Sequence, residues 1–309
     1  MLDIKTDATE TRLDPAPAEK FLELSDGRIH YLDWGGDGMP AHFLHGNGFC
    51  AGTYAPFIKY LVGDLHILAS DVRGHGSSDQ PRVKRVRHWS IFSEDLKTLI
   101  EQKMTPPVVG MGHSLGAVAT YIAAAKYPHL FSGIILLDPV VLPRRLLWLI
   151  AAIKLLGLQG HIPLAKTARR RRRLFKGKQE ALRLFTSGRG GFKNWSEEFV
   201  QAYLECGLLE KDSKTAVLKC DPELEAQIYE SIPQDVWKYA KKIACPVLAI
   251  RGEHSNFFSA DSARRLNSLI ADYELHTISD AGHLIPMEKP ERCARLIQDF
   301  VHRRILAVN

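Results

Sequence analysis

The stretch Val108-Val109-Gly110-Met111-Gly112-His113-Ser114-Leu115-Gly116-Ala117-Val118-Ala119 passes from an apolar run into an alanine-rich one, with a serine between glycines at the junction. Residues 107–111 have the length and apolarity of a strand buried on both faces, and residues 117–126 continue at helical spacing until Pro128 ends them. Gly112-His113-Ser114-Leu115-Gly116 thus satisfies G-x-S-x-G at a strand–turn–helix junction, the setting in which the motif carries meaning. Larger side chains would clash beside so tight a turn, and the turn lifts the serine hydroxyl clear of a sheet at a helix N-terminus. A glycine–serine helix start without chemistry is the alternative that this stretch alone leaves open.

Working outward, short apolar runs alternate with longer helical patterns from residue 21 to 138, the signature of strand–helix–strand units in a parallel sheet. Residues 21–24 and 28–33, separated by Ser25-Asp26-Gly27, read as a hairpin. Residues 41–44, 66–70, 108–111 and 133–137 read as buried strands, with helices expected near 51–61, 90–103 and 115–126. A strand over 247–251, a helix over 260–270, a strand over 274–278 and a final helix from Pro290 to about Leu306 resume the alternation. Residues 139–240 interrupt it and read as helical throughout, without a strand. The expected organisation is a flexible tail over 1–20, an α/β core from 21–138 and 241–309, and a helical cap inserted over 139–240. No internal repeat is present.

A serine hydroxyl is a weak nucleophile until a base removes its proton. Of thirteen histidines, His283 in Asp280-Ala281-Gly282-His283-Leu284-Ile285-Pro286 is the candidate, because it falls in a glycine-containing loop between the last strand and the C-terminal helix. From there an imidazole reaches back over the strand ends. His45-Gly46-Asn47-Gly48-Phe49 follows the third strand, where the Asn47 amide, paired with that of Leu115, would bind the oxyanion formed when a carbonyl is attacked. His45, Gly46, Phe49, His113 and, from the cap, Trp148 are expected to line the substrate pocket.

Taken together, HGNG at 45–48, Asp71-Val72-Arg73-Gly74-His75-Gly76-Ser77-Ser78, GHSLG at 112–116 and DAGHLIPMEKP at 280–290 resemble the α/β-hydrolase superfamily over roughly residues 20–138 and 240–305. The resemblance implies a mostly parallel eight-stranded sheet flanked by helices, with a cap at 139–240. It also implies an esterase- or lipase-like enzyme that hydrolyses carboxylic esters through an acyl-enzyme, without metal or organic cofactor. Arg73, Gly74, His75 and Gly76 read as structural.

A serine–histidine pair needs an acid to orient the imidazole. In many relatives an aspartate after the seventh strand supplies it in a pattern like G-x-x-D, but here Gly252-Glu253-His254-Ser255 has Ser255 at that place. Asp138, ending the sixth strand in Leu136-Leu137-Asp138-Pro139, is the expected replacement, since some relatives carry their acid after this strand. Glu253 is the alternative acid, and Asp138-Pro139 also reads as a helix N-cap. One group of dehalogenases with a similar HGN segment has an aspartate nucleophile where this chain has Ser114, which argues against halide chemistry. The nucleophile and base do not fix the leaving group. A thioester or carbon–carbon hydrolase and a low-turnover receptor for a small ligand therefore stay open.

Composition bounds the rest. With 45% hydrophobic and 25% charged residues, the chain can bury a large core. Residues 140–195 hold fourteen Lys or Arg and one acid, Glu180, so this segment alone carries +13 in a chain of net charge +6. No nucleic-acid recognition module accompanies it. Residues 146–156, apolar nearly all round and preceded by Arg144-Arg145, must be covered or must cover something. The pocket mouth is one object, and an anionic membrane surface is another. Five widely spaced cysteines argue against a disulfide framework or zinc site, and the first twenty residues lack the look of a secretory signal. A reducing, cytoplasmic setting is the expectation, with a small hydrophobic ester as the partner.

Overall fold

The computed structural model describes residues 16–187, 192–212 and 214–308. The core begins with strands β1 (Ala18–Leu24), β2 (Gly27–Asp33), β3 (Met39–Leu44), β4 (Leu65–Ser70), β5 (Val108–His113) and β6 (Phe131–Leu137). Among them lie helices α1 (Ala55–Ile58), α2 (Ser90–Lys103) and α3 (Leu115–Lys126). The insertion holds α4 (Arg144–Leu155), α5 (Pro163–Arg169), β7 (Leu174–Phe175), α6 (Gly177–Phe185), α7 (Glu197–Gly207), β8 (Leu208–Asp212), β9 (Thr215–Leu218) and α8 (Pro222–Glu230). The core resumes with β10 (Val247–Gly252), α9 (Ala260–Asn267), β11 (Tyr273–Ile278), α10 (Ile285–Glu288) and α11 (Pro290–Arg304).

Eight strands form one sheet in the order β1-β2-β4-β3-β5-β6-β10-β11. The β1–β2 and β2–β4 pairs are antiparallel and the remaining five are parallel. The register levels the carboxyl ends: Leu44 faces Gly112, and Leu137 faces both His113 and Ile250. Each ladder runs one residue further, with Ser114 N donating to Leu137 O (3.0 Å) and Asp138 N donating to Ile250 O (2.8 Å). The chain leaves β3 toward β4 and returns to β5 on its other side. This reversal of strand order opens a crevice at the carboxyl ends, where α/β sheets bind ligands.

Helix α3 is buried along its whole length up to Ala125, and its alanines let it lie close on the sheet. The approach is tightest at the junction. A Cβ at Gly112 would stand 2.4 Å from the Gly116 carbonyl carbon, and one at Gly116 would stand 2.0 Å from Leu44 O. Only glycine fits at either position.

Three expectations need correction. Residues 18–20, assigned to the tail, open β1. The insertion is not helical throughout: β7, β9 and β8 form a small antiparallel sheet. These strands have two to five residues, and β8 carries Glu210, Lys211 and Asp212 on exposed positions. Runs so short and charged leave no alternation to read. Finally, Cys50 and Cys206 are joined as a disulfide across 156 residues of sequence, tying the loop after β3 to α7, while Cys220, Cys245 and Cys293 are free. Spacing in sequence said nothing of this pair, because the fold rather than the chain brings them together. The cysteine argument for a reducing compartment falls with it. Among the described residues no helix is long and apolar enough to cross a membrane.

Candidate active site

Ser114 sits in the turn between β5 and α3 with φ 55° and ψ −113°. A non-glycine residue in this region costs on the order of 1–3 kcal/mol and persists only where the surroundings impose it. Here β5 and the N-terminus of α3 impose it, and the hydroxyl rises from the sheet edge. Asp138 follows β6 with φ 42°, also left-handed. Residues 139–143 after it are not helical and α4 starts only at Arg144, so the N-cap alternative for Asp138 is not realised. His283 lies between β11 and α10.

These three residues meet. Ser114 Oγ lies 2.9 Å from His283 Nε2, and His283 Nδ1 lies 2.7 Å from Asp138 Oδ1. Because a carboxylate only accepts, Nδ1 carries the proton and Nε2 offers its lone pair to the serine hydroxyl. Asp138 is fully buried, while the His283 side chain is 17% exposed. The carboxylate also accepts from Gly252 N (2.8 Å, to Oδ2) and from the Ser255 hydroxyl (to Oδ1). Ser255, standing where the aspartate of G-x-x-D would be, thus holds the Asp138 carboxylate at the end of β6. Glu253, the alternative acid, is exposed and accepts from Asp280 N at 3.2 Å, so it ties the loop instead of reaching His283.

The oxyanion candidates flank the serine. A Cβ on Gly46 would lie 3.3 Å from Ser114 Cβ, so the main chain after β3 runs directly beside Ser114. Gly46 N donates to Tyr54 Oη (3.0 Å) and Gly48 N to His75 Nε2 (3.1 Å). Among the described residues the intervening Asn47 N–H has no acceptor, and neither has Leu115 N–H at the first position of α3. Asn47 Nδ2 donates to Glu225 O (3.0 Å) in α8, joining this loop to the insertion. Burial pushes the His75 imidazole down to about 3, so it stays neutral and keeps the lone pair that Gly48 N–H uses.

Two expected pocket residues are supports instead. His45 is fully buried, donating from Nδ1 to Gly46 O (2.8 Å) and accepting Val72 N at Nε2 (2.8 Å). His113 accepts the Tyr54 hydroxyl at Nδ1 (2.7 Å) and donates from Nε2 to His283 O (2.9 Å), fixing the loop that carries His283. Burial holds His113 well below the ordinary histidine range. Trp148 also needs correction. It stands 76% exposed on α4, in a shallow groove with Arg144, Gln234 and Lys238. Phe49, by contrast, meets an aromatic wall from the insertion, with Trp195 at 5.5 Å and Tyr203 at 5.9 Å between ring centres.

Ser255, Tyr54 and Phe257, whose ring lies 4.2 Å from that of His283, escape sequence reasoning. Phe257 and Tyr54 have no motif. Ser255 had a signal, its position in the G-x-x-D frame. Of the described residues, Glu253, His254 and Asp280 form the one group able to offer three metal-ligating atoms within 4.8 Å of one another. All three are exposed, and neither Ser114 nor Asp138 belongs to the group.

A family model described as alpha/beta hydrolase fold matches residues 42–290. The 2-(acetamidomethylene)succinate hydrolase of Mesorhizobium japonicum is 26% identical over 86% of this chain and 89% of its own length. The monoglyceride lipase of Homo sapiens is 34% identical, over 35% of this chain and 38% of the lipase. The crystal structure of E-2-(acetamidomethylene)succinate hydrolase superposes with a TM-score of 0.76 at 21% identity, covering 93% of this chain and 99% of that one. At that identity the structural likeness is one of fold.

Proposed function

This chain belongs to the α/β-hydrolase family and is a hydrolase, and on that premise we propose that it cleaves carboxylic esters with a hydrophobic acyl group. Ser114 is the nucleophile, His283 the base and Asp138 the acid that orients it. The observation that carries this reading is the unbroken hydrogen-bond relay from Ser114 Oγ through His283 to Asp138 Oδ1. In the first half-reaction Oγ bonds to the acyl carbon while His283 Nε2 takes the hydroxyl proton. The carbon–oxygen bond to the alcohol then breaks, and His283 returns the proton to the leaving oxygen. Water, deprotonated by the same nitrogen, then attacks the acyl carbon, the bond to Oγ breaks to release the acid, and His283 returns the proton to Ser114 Oγ. The Asn47 and Leu115 amides hold the carbonyl oxygen as it becomes negative in both halves.

The aromatic wall beside Phe49 supports an apolar acyl group. A receptor built on this fold would need none of the three groups, and their presence within hydrogen-bond reach of one another favours turnover. A graded series of p-nitrophenyl esters tests the reading. Turnover should rise from the acetyl ester to longer acyl chains and vanish in Ser114→Ala. Equal rates across the series, or a Ser114→Ala protein that keeps its rate, would refute it.

A further inference from the structure

Helix α4 is apolar on both its buried and its exposed sides, unlike a solvated helix. Its inward face holds Leu147 and Ile150, both buried, and also Lys154, whose Nζ turns in to donate to Ile232 O at 3.2 Å. Its outward face carries Trp148 (76% exposed), Leu149 (56%), Leu155 (88%) and Leu156 (70%). Leu146 and Leu158 add to the same segment, so six of the thirteen large exposed apolar side chains among the described residues fall within 146–158. A helix lying against water puts its cations outward and its leucines in. Concentrating exposed apolar side chains in one segment marks a contact surface.

Charge identifies what covers it. Most of the arginine run is consumed within the insertion: Arg169 pairs with Glu223 and Glu230, Arg171 with Glu225, Arg172 with Glu180 and Arg173 with Asp221. Arg144 and Arg145 at the start of α4, and Lys166 and Arg170 around α5, are exposed and have no acidic partner among the described residues. A second copy of the chain would bring the same uncompensated cations against these and be repelled. An anionic lipid surface offers both an apolar layer for the tryptophan and leucines and phosphates for the arginines.

We propose that α4 is a docking helix for an anionic membrane surface, lying in the interface plane with Trp148, Leu149, Leu155 and Leu156 among the acyl chains and Arg144 and Arg145 at the headgroups. This surface is separate from Ser114 and stands whichever bond that serine attacks.

Trp148 is its own reporter, because Trp89, Trp195 and Trp237 are buried and Trp34 is partly so. The full chain should sediment with phosphatidylcholine vesicles containing phosphatidylserine, shift its tryptophan emission to the blue, and lose both effects at high salt. Trp148→Phe should bind without the blue shift. Arg144→Glu/Arg145→Glu should weaken partitioning at least about tenfold, and Leu155→Ser/Leu156→Ser should abolish it while hydrolysis of a soluble ester stays unchanged. Failure of the native chain to bind such vesicles at low salt, or binding by the double serine variant, overturns the proposal. So does a dimer in sedimentation velocity that the double serine variant dissociates, since a second copy would then cover the helix.

Discussion

At the scale of single residues, the candidate site turns on which carboxylate meets His283. Asp138 accepts from His283, Ser255 and Gly252 N, while Glu253 is turned to Asp280 N. On the proposed mechanism Asp138→Asn leaves the wrong imidazole tautomer and should lower kcat on the order of 10³- to 10⁴-fold. Glu253→Gln should leave kcat within about twofold, because exposed polar groups contribute little. Steady-state kinetics of the two variants decides, and the reverse ranking would reject Asp138. Ser255→Ala removes one donor from a buried carboxylate, a loss worth roughly 1–3 kcal/mol, and should lower kcat about tenfold with KM unchanged. An unchanged kcat would mean that Ser255 only fills space. That Ser114, His283 and Asp138 come together was legible because each stands at a fixed place in a strand-loop order. The donor set around Asp138 was only half legible: the G-x-x-D frame flagged Ser255 as a departure, but only three-dimensional packing turns that departure into a hydrogen bond. His45 and His113, expected in the pocket, are buried supports because a motif gives proximity to Ser114, not the direction of a ring.

At the scale of elements, the parallel strands and helices of the core could be read because each is long enough to show its period. Helices α2 and α3 run over the residues their spacing marks, ended by Met104 and Pro128. The expected helix at 51–61 dissolves into a 3₁₀ turn, Ala51–Tyr54, and the single turn α1, with Tyr54 and Phe57 packed in the core around Phe43. The insertion was least legible. Its strands are short, and its basic run looked like a free surface until the acids of α8 and its flanks, fifty residues away, neutralised most of it. The Cys50–Cys206 link binds α7 to the loop that follows the Asn47 amide. Alkylation of the unreduced, denatured chain should therefore modify three cysteines, Cys220, Cys245 and Cys293, and five modified residues would contradict the pairing. With the link present, Cys206→Ser should cost roughly 2–4 kcal/mol, read as a lower melting temperature.

At the scale of the whole molecule, the fold buries His42, His75 and His113 completely. Burial pushes His42 and His75 down to about 3, and His113 lies well below its ordinary value. Each folded-state value is below that of an unfolded histidine, near 6.5, so the unfolded chain binds more protons between the two. Their contribution is complete above about pH 6.5 and is lost as pH falls from there toward about 3. The melting temperature should drop by about 10 °C between about pH 7.5 and about pH 5, and equal melting temperatures would show that these rings are not held neutral. The central claim, that Ser114 is an activated nucleophile, is tested most directly by a fluorophosphonate probe followed by peptide mass spectrometry. One adduct per chain is expected, on the peptide containing Ser114, lost in Ser114→Ala and strongly slowed in His283→Ala. No adduct on folded protein, or an adduct on another residue that survives Ser114→Ala, would contradict it.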